Sequence, residues 1–167
     1  SRRADVKTFP GIAAASSLPV NLPENITPFF ETASDVRLAD WDNDGRTDII
    51  AAALDGAMIK MWRNEEFGWV ESTWPITGNV AGIDVGDIDG NGEIDLVYGQ
   101  YSPSRVGVVL NRSSDLLVAI DDTPINGPEA VHLADLDGDG DLDAMTAEFG
   151  AFHVSWHENV NGDGETW

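Results

Sequence analysis

The chain has 167 residues, with 30 acidic and 9 basic side chains, a net charge of −21 and no cysteine. A chain this acidic lacks the basic patches that bind the phosphates of nucleic acids and of anionic membranes. We therefore expect neither nucleic acid binding nor direct membrane insertion. The lack of cysteine excludes disulfides and thiolate metal sites.

Residues 1–34 are rich in proline, alanine and serine and differ in pattern from the remainder of the chain. Their prolines exclude a long helix, because proline lacks the backbone N–H and clashes with the preceding turn. We expect this segment to form an extended arm or the remnant of a preceding repeat. It contains the glycosylation sequon Asn25-Ile26-Thr27, and the sequence leaves open whether Asn25 is modified.

A nine-residue acidic motif begins at Asp40 and recurs at Asp87 and Asp135, at spacings of 47 and 48 residues. Each copy has oxygen-bearing side chains at positions 1, 3, 5 and 9, a glycine at position 6 and a usable backbone carbonyl at position 7. Ca²⁺ takes six to eight such oxygens, and glycine permits the sharp turn that brings them together. The sequence therefore predicts three Ca²⁺ sites, one per repeat. The predicted ligands, with position 7 contributing its carbonyl, are Asp40, Asp42, Asp44, Arg46 and Asp48; Asp87, Asp89, Asn91, Glu93 and Asp95; and Asp135, Asp137, Asp139, Asp141 and Asp143.

The EF-hand loop begins similarly, but its position 12 must be a bidentate glutamate. That position holds Ala51, Tyr98 and Thr146 in the three copies. Apolar residues also alternate before each motif, as in Val36 and Leu38, and a period of two indicates half-buried strands rather than helices. The pattern therefore predicts metal loops between strands.

The similarity between repeats extends past the loops, because Asn64, Asn111 and Asn159 each follow the first loop aspartate by 24 residues. Each repeat reads as a four-stranded antiparallel meander, and repeats of this length with four strands are typical of β-propeller blades. The predicted fold class is therefore all-β, with three four-stranded blades. We place the blades at residues 35–80, 81–128 and 129–167, the third being truncated where residues 165–167 begin its last strand.

These motifs resemble the FG-GAP or VCBS-type repeats of integrin-alpha-like β-propellers, over roughly residues 35–167. The resemblance implies calcium held between the first two strands of each blade, on positions 1, 3, 5, 7 and 9. It also implies a ring of about seven blades, whereas three are visible here. We therefore expect the chain to be part of a larger propeller whose remaining blades are partners, with assembly from several chains as the less favoured alternative.

Two classes of function remain open. The first is a secreted or cell-surface module, stabilised by calcium, that binds a protein or glycan partner in adhesion. The second is part of a carbohydrate-active propeller enzyme, a polysaccharide lyase or sugar dehydratase. Three Ca²⁺ ions would reduce the net charge from −21 to −15 and relieve repulsion among the loops. No nucleophile elbow or phosphate-binding loop is visible. An enzyme of this kind would carry a cluster of His, Tyr, Arg or Lys on the innermost strands, which face the central channel of a propeller, and only Lys60 and Arg105 lie near such strands. We therefore favour binding over catalysis.

Three tryptophans and one asparagine carry further predictions. Trp62 and Trp156 lie on third strands, where a recurring aromatic favours packing between blades. Trp41, at position 2 of the first loop, either covers the neighbouring blade or is exposed and offers a surface for carbohydrate stacking. Asn111 belongs both to the sequon Asn111-Arg112-Ser113 and to the asparagines shared by the repeats.

Overall fold

The computed structural model describes residues 32–55, 57–76, 78–113, 116–120 and 125–167. These residues form eleven β-strands and no helix, which confirms the predicted all-β class. None of them belongs to a helix long and apolar enough to span a membrane. The N-terminal arm up to residue 31, including the Asn25 sequon, lies outside the described residues.

The strands form three antiparallel sheets in chain order. The first sheet contains β1 (Ala33–Ala39), β2 (Asp48–Ala53), β3 (Met58–Glu65) and β4 (Gly68–Pro75). The second contains β5 (Asn79–Gly86), β6 (Asp95–Ser102), β7 (Arg105–Leu110) and β8 (Leu116–Ile120). The third contains β9 (Pro128–Ala134), β10 (Asp143–Glu148) and β11 (His153–His157).

The described part of the third sheet has three strands rather than four, and residues 165–167 do not begin a strand as predicted. The Asp163 carboxylate accepts hydrogen bonds from the amides of Glu165 and Thr166, and the Val160 amide donates to the Thr166 carbonyl. These bonds close a compact turn after β11. The turn brings the Trp167 side chain against the apolar cluster between the second and third sheets.

Apolar residues on facing sides of consecutive sheets form two buried clusters. We call the side of a sheet that faces the next sheet its trailing face, and the opposite side its leading face. The trailing face of the first sheet carries Ile50 and Met61, which pack against Ile83 and Leu96 on the leading face of the second. Val97, Val106 and Val108 form the trailing face of the second sheet and pack against Val131 and Ala144 of the third.

The first strands of the sheets are also joined by polar contacts. Arg37 Nε donates to Asp84 Oδ1 at 3.1 Å, and Asp84 Oδ2 accepts the Leu133 amide at 3.0 Å. Burial alone would raise the pKa of Asp84, but these donors outweigh it and lower the pKa. The Asp35 carboxylate similarly accepts the Ile83 amide at 3.1 Å. β1, β5 and β9 are therefore linked directly, and the three acidic motifs lie at the ends of these strands.

Stability should depend on the packing between sheets. We expect Ile83→Ala, which opens a cavity between the first two sheets, to lower the free energy of unfolding by about 2–5 kcal/mol. Phe67→Ala, at an exposed position in the β3–β4 turn, should change it by less than about 0.5 kcal/mol. Urea unfolding followed by circular dichroism measures both. Similar values for the two variants would contradict the inter-sheet core.

Candidate metal centres

Each acidic motif forms a loop whose two ends are held by paired strands. Antiparallel pairing runs up to Ala39 and Asp48 in the first sheet, and the corresponding pairs close the other two loops. Those pairs are Gly86 with Asp95 and Ala134 with Asp143. The loops are therefore short connections between fixed strand ends, as the sequence predicted. The movement of a helix pair that opens a calcium sensor has no equivalent in this arrangement.

The turn inside each loop depends on a left-handed backbone at position 6. The φ angles of Gly45, Gly92 and Gly140 are +85°, +86° and +103°, a region that residues with a Cβ atom avoid. This conformation directs the amide of position 6 back to the carboxylate of position 1. The three N···O distances are 2.8 Å for Gly45 to Asp40, 3.0 Å for Gly92 to Asp87 and 3.2 Å for Gly140 to Asp135.

A second repeated hydrogen bond orients the side chain at position 5. It accepts the amide of position 7, whose carbonyl is the predicted ligand, and so holds one side-chain oxygen close to the turn. The distances are 2.8 Å for Arg46 to Asp44, 2.6 Å for Glu93 to Asn91 and 2.9 Å for Asp141 to Asp139. The donors that fold each loop are thus backbone amides, and the loop keeps its shape without using the remaining lone pairs of its carboxylates.

The aspartate at position 9 is buried and both of its oxygens accept backbone amides. Asp143 Oδ2 accepts the Leu136 amide from within the loop at 3.1 Å, and its Oδ1 accepts the amide of Asn159, just past β11, at 3.0 Å. Asp48 and Asp95 make the same two contacts at 2.7–2.9 Å. The sequence predicted position 9 as a metal ligand and missed this second role.

Burial makes the charged form of these aspartates costly in the metal-free protein. It raises the pKa of Asp95 to about 6, against the opposing effect of the amides of Asn111 and Ile88, and neighbouring Asp89 raises it further. Burial likewise raises the pKa of Asp48. A cation in the loop would favour the ionised form of both side chains. The electrostatics of the first two loops therefore suit an additional positive charge.

The structure brings predicted ligands of every loop close enough to share one cation. Ligand atoms of positions 1, 3 and 9 lie within 4.8 Å of one another in the first two loops, as do those of positions 1, 3 and 5 in the third. The groups are Asp40, Asp42 and Asp48; Asp87, Asp89 and Asp95; and Asp135, Asp137 and Asp139. Moreover, Asp87 Oδ1 is buried and has no hydrogen-bond partner among the residues that the structure describes. A buried, unpartnered carboxylate oxygen within such a group fits a metal ligand.

In the first two repeats the residue after the repeated asparagine lies beside the loop, which the sequence analysis missed. Glu65 groups with Asp42 and Asp44 of the first loop and could add a ligand there. Arg112 Nε instead donates to Asp89 Oδ2 of the second loop at 2.7 Å. The signal was available in the sequence, since both residues directly follow the aligned asparagines.

Arginines also approach the first loop. The Arg46 guanidinium pairs with Asp44 and lies 3.6 Å from Glu65, and Arg63 Nη1 lies 3.9 Å from Asp42 Oδ2. Within the described residues, no lysine or arginine pairs with a carboxylate of the third loop. The three loops thus share one backbone geometry but differ in local charge, and the third is the most negative.

The repeated asparagines connect neighbouring sheets at the loops. Asn111 Nδ2 donates to the Trp41 carbonyl of the preceding sheet at 2.7 Å, and Asn159 Nδ2 donates to the Ile88 carbonyl at 2.9 Å. Both acceptors are at position 2 of a loop. For Asn111 the structure therefore supports the role shared by the repeats, because the nitrogen that a glycan would modify is already engaged between two sheets.

The tryptophan predictions were partly wrong. Trp41 is buried against Trp74, with ring centroids 5.0 Å apart, so it covers the neighbouring sheet and offers no exposed stacking surface. Trp62 is buried on the leading face of the first sheet, whereas Trp156 is half exposed on the trailing face of the third. Neither belongs to a described inter-sheet cluster.

The two basic residues that the sequence placed near a central channel, Lys60 and Arg105, do not share a site. Lys60 pairs with Glu71, and Arg105 lies near Tyr98.

Comparison with known families gives one match. The FG-GAP-like repeat family matches the chain twice, over residues 40–98 and 87–146, and each match begins at the first aspartate of a loop. Together the two matches cover more than half of the chain. A comparison with curated proteins gives no match.

Two substitutions in the third loop should separate the folding role of position 9 from metal binding. In chelator, Asp143→Asn should lower the free energy of unfolding by about 1–3 kcal/mol, because an NH₂ group replaces one of the two buried acceptors. Asp139→Asn should change it by less than about 0.5 kcal/mol, since Asp139 is exposed and asparagine keeps an acceptor for the Asp141 amide. Equal effects in urea unfolding would refute the distinction.

Proposed function

Because this chain belongs to the FG-GAP-like repeat family, we propose that it is a calcium-stabilised binding module that presents the loops of a β-propeller to a protein or glycan partner. The observation that carries this proposal is the repetition of one pre-folded oxygen cage in three loops. In the second cage, Asp87 Oδ1 is buried and has no hydrogen-bond partner within the described part of the chain.

In this proposal each loop holds one Ca²⁺. Side chains at positions 1, 3, 5 and 9 and the carbonyl at position 7 supply the protein ligands, which are the fifteen residues predicted from the sequence. Carboxylates, an amide oxygen and a carbonyl in an irregular loop suit Ca²⁺ better than Mg²⁺, which demands near-ideal octahedral geometry. The ions have a structural role, because paired strands hold both ends of every loop.

An extracellular setting supports this role. Calcium sites of extracellular modules have dissociation constants on the order of 10⁻⁴ to 10⁻³ M, a range that is filled where calcium is millimolar. A net charge of −21 also opposes compaction unless cations reduce the repulsion. We therefore propose that the protein is secreted or displayed at a cell surface, where it takes part in adhesion.

The three sheets are proposed to be part of a larger ring, for which the family resemblance implies about seven blades. Propellers close with four to eight blades, and closure removes the open faces of the terminal sheets. Consecutive sheets already pack face to face through two apolar clusters, and this arrangement can continue in both directions.

Calcium should stabilise the fold at three sites. If the free calcium concentration is about ten times the dissociation constant of each site, binding raises the free energy of unfolding by about 1.4 kcal/mol per site. The three sites together then raise Tm by about 8–16 °C. Asp40→Asn, Asp87→Asn and Asp135→Asn should each remove one of three bound equivalents in equilibrium dialysis. Unchanged Tm values in calcium and in chelator would refute the calcium sites.

Ligand binding should depend on calcium. We expect a glycan array to show binding in millimolar calcium and its loss in chelator, because the ions offset the repulsion among the carboxylates of the loops that display the contact surface. The variant Asp135→Asn, which weakens one loop, should reduce the signal. Turnover of a uronate-containing substrate in place of retention would favour the enzyme alternative over the binding module.

A further inference from the structure

The trailing face of the third sheet carries a row of exposed apolar side chains. Val154 and Trp156 on β11 are 62% and 50% exposed, and they pair with Ala147 and Met145 on β10. Leu136, at position 2 of the third loop, is also exposed. Monomeric proteins rarely leave a contiguous apolar surface of this kind uncovered.

The repeat alignment indicates what kind of surface this is. Val154 is equivalent to Ile59 and Val106, because all three lie five residues before the repeated asparagine, and both of those residues are fully buried between sheets. Trp156 is equivalent in the same way to Met61 and Val108, and Leu136 to Trp41 and Ile88, and those four residues are also buried. The exposed row therefore occupies, in the third sheet, the positions whose equivalents in the first and second sheets form the inter-sheet core.

A complementary surface lies at the opposite end of the chain. Val36 and Leu38 on the leading face of the first sheet are 55% and 65% exposed. Their equivalents are Ile83 and Val85 in the second sheet, both within the first apolar cluster. In the third sheet, Val131 and Leu133 occupy the same positions and belong to the second cluster. The first sheet thus exposes positions whose equivalents in the second and third sheets pack against the trailing face of the preceding sheet.

The polar contacts between sheets leave a matching donor and acceptor. Asn111 and Asn159 donate to the position-2 carbonyl of the preceding sheet. The equivalent donor in the first sheet is Asn64 Nδ2, and the equivalent acceptor in the third is the Leu136 carbonyl. Among the described residues, neither atom has a hydrogen-bond partner. The first sheet therefore offers the donor of this repeated hydrogen bond, and the third sheet offers its acceptor.

We propose that the trailing face of the third sheet docks on the leading face of the first sheet of a second copy of this chain. Val154, Trp156 and Leu136 pack against Val36 and Leu38 of the second copy, whose Asn64 donates to the Leu136 carbonyl. The contact is head to tail, and two copies supply six sheets, one fewer than the family resemblance implies and within the four to eight with which propellers close. The inference rests on the proposed larger ring, which it completes by assembly of two chains, the alternative less favoured from the sequence, and it is independent of calcium and of any ligand.

Sedimentation equilibrium of the full chain in the micromolar range tests this arrangement. The expected mass is twice the 18.0 kDa of the chain. Trp156→Asp, which places a charge on the trailing face, and Leu38→Asp, which does so on the leading face, should each give the monomer mass. An equimolar mixture of the two variants should regain the doubled mass, because it retains one intact pair of faces. Phe67→Asp, at an exposed site on neither face, should leave the mass doubled.

Circular dichroism of each variant checks that it is folded, and Val154→Lys provides a second test of the trailing face. A monomeric wild-type chain throughout the micromolar range would overturn the proposal. So would a doubled mass for Leu38→Asp alone, which would indicate trailing faces paired with each other, or a mixture that stays monomeric. Equilibrium dialysis of the dimer in millimolar calcium separates the two proposals, since a dimer that binds no calcium would overturn the calcium sites and leave the docking contact standing.

Discussion

Everything in this structure depends on a buried carboxylate that joins three segments of each repeat. The aspartate at position 9 begins the second strand of its sheet, and its two oxygens accept one amide from the acidic loop and one from the repeated asparagine near the end of the third strand. A buried carboxylate with backbone donors on both oxygens is a strong constraint, because losing either donor leaves a charged group unsatisfied. The same arrangement in three repeats fixes the loop relative to the sheet.

That constraint also sets how the sheets stack. Binding the amide of Asn111 to Asp95 places the asparagine side chain at the edge of its sheet, where Nδ2 reaches the Trp41 carbonyl of the preceding sheet. The amide of Trp41 is in turn bound by Asp48, and its indole enters the core between the two sheets. Loop geometry and sheet packing are therefore coupled through the same few atoms.

The strands, the loops and the turn glycines could be predicted from the sequence because they depend on local patterns that recur. The faces on which Trp62 and Trp156 lie depend on their exact spacing from the repeated asparagines. Trp62 lies two residues before Asn64 and Trp156 three residues before Asn159, so a period of two places them on opposite faces of their sheets. The burial of Trp41 depends on a neighbouring sheet, and the end of β11 depends on the Asp163 turn. Neither contact leaves a signal within a single strand.

The three loops are not equivalent electrostatically, and this follows from residues outside the motif. Arg46 and Arg63 offset part of the charge of the first loop, and Arg112 does so in the second. The third loop has five carboxylates, and neighbouring aspartates add to the effect of burial in raising the pKa of Asp141. An arginine near a ligand competes with a divalent cation for the same oxygen. Because the third loop lacks such a competitor within the described residues, its local charge favours a divalent cation more than the local charge of the other two loops does.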